Sequence, residues 1–459
     1  MEIVLPNHVR EIIETLETAG YEAYAVGGCV RDSVLGREPD DWDITTSAKP
    51  EQVKALFRRT VDTGIAHGTV TVLLERRGYE VTTYRIDGEY EDSRHPKEVT
   101  FTDNLTEDLR RRDFTINAMA YSERRGLVDA FGGLRDLEEK IVRCVGDARE
   151  RFGEDALRIL RAVRFAAKLG FSIDEDTRRA AQEMAGNLQH ISAERIQAEL
   201  VKLLVSPHPE VLRQAWELGM TAVFLPEFDA MMATEQRNPH HMYSVGEHTL
   251  KTLEYVEADK TLRLAALCHD FGKPAARTAK DGVDHFYGHP GVSEKMADAM
   301  LRRLKFDNDT ICRVKVLVRF HDARPALTPE TLEKLRSKKR AVQEAWVRRL
   351  ICRVGTEMFP ALMQLSGADV LAQSDYLKTE KLLLLEQMYA VYEECLQKEE
   401  CLSLKQLAVT GRDLTGAGMK PGREIGEMLK RMLEDVLEEP AHNTKEYLMK
   451  KYLNENGHL

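Results

Sequence analysis

Nothing in this 459-residue chain approaches an uninterrupted apolar run long enough to cross a bilayer. The opening Met1-Glu2-Ile3-Val4 has no basic-then-apolar leader, so the expected address is the cytoplasm, with no membrane partner. Cysteine is sparse: seven residues without paired spacing, some inside apolar stretches such as Leu267-Cys268. That usage fits reduced, buried thiols rather than a disulfide framework. A surplus of positive charge is also missing, since 66 Lys and Arg stand against 76 Asp and Glu for a net −10. This argues against non-specific coating of nucleic acid. Local basic clusters, Arg110-Arg111-Arg112 and the series Arg158, Arg161, Arg164, still leave a cationic face available. No internal repeat or low-complexity segment appears.

The length predicts two to four domains. Up to about residue 145, short helices alternate with short strands rich in Val, Thr and Tyr, and residues 69–75 and 80–85 read as strands paired around an Arg77-Gly78 turn. Beyond Gly146 helical periodicity dominates, punctuated by Pro207, Pro209, Pro226, Pro239 and Pro290. The expected fold class is α+β: a mixed head over residues 1–145, a helical neck over 146–235, a third segment over 236–380 and a helical tail over 381–459.

Asp41-Trp42-Asp43-Ile44 opens an apolar, β-branched stretch. On a strand, residues two apart point to one side, so both carboxylates can face one cavity. Carboxylates held together repel unless cations sit between them, and Mg2+ is the hard cation suited to such oxygens. Alone, this pair fits a solvated loop edge equally well. Upstream, Val26-Gly27-Gly28-Cys29-Val30-Arg31-Asp32 places paired glycines between a strand and a short helix. Backbone amides there can approach a phosphate, and Arg31 can clasp its oxygens. A tight turn with a surface arginine is the alternative.

Together with Arg111-Arg112-Asp113-Phe114-Thr115-Ile116-Asn117-Ala118-Met119-Ala120, these segments resemble the polymerase-β-like superfamily, and within it the class II tRNA nucleotidyltransferases, which include bacterial poly(A) polymerases. The resemblance implies a small mixed-sheet catalytic head adding CTP and ATP to the 3′ CCA end of tRNA. It implies that Asp41 and Asp43 hold Mg2+, that Gly28 and Arg31 contact the nucleotide, and that Arg112 and Asp113 contact the ribose. Glu80 is a third acidic candidate, with a surface role as the alternative. The charged, glycine-containing segment from Asp87 to Pro96 resembles the loop that lets such enzymes add the terminal adenosine.

Glu154-Asp155-Ala156-Leu157-Arg158 begins a helical pattern in which Asp155 and Arg158, three apart, read as helix-surface neighbours. An ordinary ion pair explains this. The resemblance instead implies that Asp155 and Arg158 read the incoming base, with Arg161 and Arg164 as further nucleotide contacts. Residues 191–199 read as a bracing helix.

Further along, His248, His269-Asp270, His289, His321-Asp322 and Asp369 lie in an otherwise helical region. Their order resembles the HD phosphohydrolases. That likeness implies His248, His269, Asp270 and Asp369 as ligands of a divalent metal (Mn2+, Ni2+ or Mg2+), and His289 and His321 as second-site ligands or substrate contacts. Asp322 and His285 are lesser candidates. The implied reaction is phosphomonoester or cyclic phosphodiester hydrolysis; a helical scaffold without activity is the alternative. In the tail, Gly411-Arg412 and Lys420-Pro421-Gly422-Arg423 precede an amphipathic helix and suit either RNA phosphate or a capped turn. Competing readings of the whole chain are a poly(A) polymerase, an enzyme adding only A, and an HD phosphohydrolase with an RNA-binding head.

Overall fold

The computed structural model describes residues 2–88 and 99–454. Most of the loop expected between Asp87 and Pro96 therefore lies outside the described residues. The chain divides into two compact units, Met1–Pro226 and Glu227–Leu459. The expected neck, residues 146–235, runs past that division, since residues 227–235 lie in the second unit.

In the first unit a seven-stranded sheet is built from β1 (Ala23–Val26), β2 (Ile44–Thr46), β3 (Thr60–Gly64), β4 (Thr69–Leu74) and β5 (Arg77–Thr83), with a short pair, β6 (Arg85–Asp87) and β7 (Val99–Phe101), set apart before β8 (Met119–Ser122) and β9 (Gly126–Asp129). The order across the sheet is β3-β4-β5-β2-β1-β8-β9. β1 is buried along its whole length, as its run Ala23-Tyr24-Ala25-Val26 requires of a strand covered on both faces. One face packs Tyr24, Val26, Tyr84, Leu105, Leu109, Ala118 and Ala120 into a core. β4 and β5 pair with Leu74 opposite Arg77, so the turn is Glu75-Arg76 and not the expected Arg77-Gly78. Both turn residues have positive φ, 45° and 68°, the backbone twist a two-residue hairpin needs.

After the sheet in the chain come helices Ala148–Glu154, Leu157–Leu169, Glu175–Met184 and Ala193–Leu204. The expected continuous helix from Glu154 is broken: Asp155 is extended at φ −144° and ψ 103°, with a new helix starting at Leu157. Helix Leu157–Leu169 buries Leu157, Ile159, Leu160, Val163 and Phe165 and ends on Gly170 in the left-handed region.

Among its described residues the second unit is helical apart from one hairpin, Thr278–Lys280 with Val283–His285, which the all-helical expectation missed. Its turn, Asp281-Gly282, is a strong hairpin dipeptide, with φ of 53° and 78°. Among the described residues, no helix is long and apolar enough to cross a membrane. All seven cysteines are free.

Candidate active site and a second metal-binding cluster

β1 delivers the chain into Gly27, whose φ of 82° and ψ of −125° suit glycine and few other residues. A Cβ at Gly27 would stand 2.9 Å from Nη1 of Arg112, so the missing side chain makes room for that guanidinium. At Gly28 a Cβ would make only an ordinary contact, 3.7 Å from Arg31. Gly27 is the sterically required glycine of the pair.

Asp41 and Asp43 lie just before β2, and the Val26 N–H donates to the Asp43 carbonyl at 3.0 Å, extending the β1–β2 ladder past its formal end. β2 runs parallel to β5 with Ile44 opposite Val81, which sets Asp43 beside Glu80. The electrostatics agree with that placement. Desolvation pushes the Asp43 pKa up, Arg112 pulls it back, and Asp41 adds to the push. Glu80 is raised by burial, then by Asp43 and Asp41. Asp41, Asp43 and Glu80 thus meet in one place, and for Asp43 and Glu80 ionisation is disfavoured, the condition a hard cation relieves. Arg112 faces them, and its buried Nε makes no hydrogen bond.

The other arginines are engaged elsewhere. Arg31 is buried, donating from Nε and Nη2 to Asp32 at 2.8 Å each and from Nη1 to Asn117 at 2.6 Å. This differs from the expected outward phosphate clasp, because Asp32 follows it directly and takes both arms of its fork. Asp113 is likewise internal: its carboxylate accepts from Phe114 N, Asn117 and, at 2.9 and 2.6 Å, Arg161. Arg161 leads the groups that hold the Asp113 carboxyl well below its usual range against the cost of burial. Arg164 pairs with Glu199 at 2.5 Å, and its guanidinium lies 3.8 Å from the Phe165 ring centroid. Asp155 and Arg158 do not pair with each other. Asp155 accepts from Leu157 N at 3.0 Å and Arg195 at 2.7 Å. Arg158 donates to Glu154 and to the carbonyls of Arg111 at 2.9 Å and Arg151 at 3.1 Å. The helix break at Asp155 removes the expected neighbour geometry.

In the second unit the six expected ligands converge as two triads, His248 with His269 and Asp369, and Asp270 with His289 and His321. All six are buried. Each histidine has Nδ1 against a backbone carbonyl: Ala372 at 3.4 Å for His248, Ala266 at 2.7 Å for His269, Phe286 at 2.9 Å for His289 and Val318 at 2.8 Å for His321. A carbonyl accepts only, so in His269, His289 and His321 Nδ1 carries the hydrogen and Nε2 presents a lone pair, whereas Nε2 of His248 also lies 2.9 Å from Oδ1 of Asp369. Those Nε2 atoms face one another, at 3.4 Å between His248 and His269 and 3.3 Å between His289 and His321. Opposed acceptors of this kind are the ligand geometry of a metal site. Asp270 joins the triads, with Oδ2 3.2 Å from His269 and Oδ1 3.3 Å from His289. Gln373 donates to both oxygens of Asp369, and Lys381 donates to Gln373 and His240. Burial and the charges of His269 and His289 bring the His321 pKa down to about 4. Asp322 pairs with Arg324 at 2.6 Å, outside the triads. In the tail, Arg412, Pro421, Gly422 and Ile425 line a shallow recess beside helix Arg423–Glu438.

A carboxylate cluster at the ends of central strands, beside a glycine turn, suits a nucleotidyltransferase head, and family comparison agrees. The poly A polymerase head domain matches residues 23–143, the "Probable RNA and SrmB- binding site of polymerase A" matches 170–232, and tRNA nucleotidyltransferase domain 2 matches 285–452. The CCA-adding enzyme of Lactobacillus helveticus is 34% identical over 448 residues, 96% of this chain and 95% of that protein. That of Lactiplantibacillus plantarum is 56% identical over 200 residues, 44% of this chain, so the match spans about half (49%) of that relative's length. Among solved structures, the Bacillus stearothermophilus CCA-adding enzyme in complex with CTP is similar at a TM-score of 0.71 and 30% identity, covering 97% of both chains. The chain belongs to the CCA-adding enzymes, the tRNA nucleotidyltransferases of this fold.

Proposed function

We propose that this protein builds or restores the 3′ CCA end of tRNA from CTP and ATP without a nucleic-acid template, in the cytoplasm. The observation that carries this reading is the meeting of Asp41, Asp43 and Glu80 across from Arg112 at the Gly27 turn. Asp41 and Asp43 hold Mg2+, which supplies activation of the tRNA 3′-hydroxyl and neutralisation of the departing pyrophosphate. Arg112 contacts the nucleotide ribose through its uncommitted Nε–H. Gly27 keeps the turn open for that arginine, while Gly28 and Arg31 form the wall of the pocket. Asp113 fastens Arg161 beneath the site, and Glu199 does the same for Arg164. Asp155 and Arg158 read the base edge. The testing experiment is incorporation of CTP and ATP into tRNA lacking CCA and into tRNA lacking only the terminal A. Full addition to both is expected. Addition to the second substrate alone would assign an A-only enzyme, and long adenosine tails would assign a poly(A) polymerase.

A second activity in the same chain is favoured by the converging Nε2 lone pairs. Under this reading His248, His269 and Asp369 would hold one divalent ion, and Asp270, His289 and His321 another. Such ions would supply nucleophile activation and charge neutralisation at a phosphate. Mn2+, Ni2+ and Mg2+ are the ions to test. Asp369→Asn is expected to lower bound metal by about one ion per chain and to abolish phosphoester hydrolysis, leaving CCA addition unchanged. Retained metal and no hydrolysis by the wild type would instead make the cluster a buried scaffold.

A further inference from the structure

We infer that Asp108 is a positioning residue of the nucleotide site: its buried charge holds the Arg112 guanidinium from just beyond bonding distance, which keeps the donors of Arg112 free for the ribose. The inference rests on the ribose contact proposed for Arg112 and names what aims it.

Asp108 lies in helix Leu105–Arg110 and is fully buried. A buried carboxylate needs partners, and this one gathers donors from three directions. Arg111 gives Oδ1 two of them, Nε at 3.0 Å and Nη2 at 2.8 Å. The backbone N–H of Arg85, the first residue of β6, reaches the same oxygen at 3.3 Å. Thr45 Oγ1 donates to Oδ2 at 3.1 Å, its one proton shared with the Thr82 carbonyl at 3.2 Å. Thr45 stands two residues beyond Asp43, and in extended chain residues two apart share a face. Asp108 is therefore tied to the strand that carries the acidic cluster. Burial works against its charge, and Arg111 and then Arg112 outweigh that cost, holding the carboxyl below its usual range.

The two Arg111 nitrogens, the Arg85 N–H and the Thr45 hydroxyl are about as many donors as the lone pairs of a carboxylate admit. Arg112 is left at a distance, with Nη2 3.8 Å from Oδ2, beyond hydrogen-bond reach. Coulomb attraction falls only as the inverse of distance, so the charge is felt there although no donor is spent. Burial pushes the Arg112 pKa down, and Asp108 is foremost among the groups that push it back, ahead of Asp43 and Asp113. Meanwhile Nε of Arg112 makes no hydrogen bond, and Nη1 occupies the space that a Cβ on Gly27 would take. The side chain is 20% exposed, so a ligand can reach it. An acid in direct contact takes both arms of the fork, as Asp32 does with Arg31. A guanidinium held by charge alone keeps those arms for a sugar hydroxyl.

The test is a double-variant cycle in the full chain with Mg2+, read by addition of CMP or dCMP to tRNA lacking CCA. Wild type is expected to prefer CTP over dCTP, and Arg112→Ala to erase most of that preference. Asp108→Asn should lower the preference about 10- to 150-fold, the worth of one hydrogen bond from a charged group, with the loss in KM for CTP. Thr45→Val should act in the same direction, because it opens a lone pair on Oδ2 that Arg112 can then bond. It keeps the charge of Asp108 and the shape of the strand. In the Arg112→Ala background neither change should cost anything further. Loss of packing alone would slow CTP and dCTP alike, by the same factor with or without Arg112. Costs of that kind overturn the inference, as does an Asp108→Asn protein that matches wild type on both nucleotides. If Arg112→Ala leaves the CTP preference intact, the ribose contact fails by itself, and the cycle on kcat/KM for CTP decides the positioning role. No further cost of Asp108→Asn without Arg112 sustains it, and the full cost in both backgrounds overturns it. Should Asp108→Asn not fold, Thr45→Val carries the same cycle to the same two outcomes.

Discussion

Replacing Asp43 by alanine is expected to lower nucleotide addition at least about a thousandfold while leaving tRNA affinity within a few fold of wild type. The size follows from where Asp43 sits. Its backbone is fixed in the sheet by the Val26 bond, and its carboxylate shares an edge with Asp41 and Glu80 opposite Arg112. On the proposed reading alanine removes a cation ligand from the atoms that react, and two remaining carboxylates would not restore its position. The loss touches chemistry rather than capture, because RNA affinity comes mainly from contacts to the phosphate backbone. Single-turnover addition of CMP to tRNA lacking CCA, with a parallel gel-shift titration, measures both quantities. Residual addition above about one hundredth of wild type would rule out Asp43 as a metal ligand.

The second large effect concerns which base is added. Arginine offers only donors and ionised aspartate only acceptors. Cytosine presents acceptors at O2 and N3 beside a donor at N4, and adenine an acceptor at N1 beside a donor at N6. Guanine and uracil reverse that order, with an N–H towards the arginine and a carbonyl towards the aspartate. Each reversed contact leaves a group unpaired at roughly 1–3 kcal/mol, and two give discrimination on the order of 10- to 10⁴-fold. In the free protein Asp155 is held by Arg195 and Arg158 by the Arg111 and Arg151 carbonyls, so both are already orientated before a base arrives. Asp155→Ala combined with Arg158→Ala is therefore expected to admit UTP and GTP as well as to slow addition. A double variant that slows sharply but keeps its CTP and ATP preference would make these residues pocket walls instead of readers.

What could be read in the sequence was local. Gly27-Gly28 and Asp41-x-Asp43 are each contained in a single short run, and the histidine series announced itself by residue type. The pairings that span long separations were not legible: Asp113 with Arg161 is 48 residues apart and Asp155 with Arg195 is 40. Periodicity reports which face a residue occupies, not which distant partner shares it. For the same reason Arg31 looked free until the fold brought Asn117 beside it, and Glu80 looked ambiguous until the register of β5 against β2 was known. Two misses had signals available. Asp281-Gly282 announces the hairpin, and the extended residue at Asp155 is a preference that helix-former counting averages away.

The pairing of arginines in the first unit has a consequence for how it is felt from a distance. Arg31 with Asp32, Arg111 with Asp108, Arg161 with Asp113, Arg164 with Glu199 and Arg195 with Asp155 all meet acids at contact. Each couple is close to a dipole, whose field dies away faster than that of a lone charge. Beyond the roughly 8–10 Å Debye length of physiological salt, this arginine-rich region projects little attraction. Encounter with a polyanion is consequently not steered by these side chains, however numerous they are in the sequence. Their pull is confined to contact distance, where the geometry of a touching group and not ionic strength decides it.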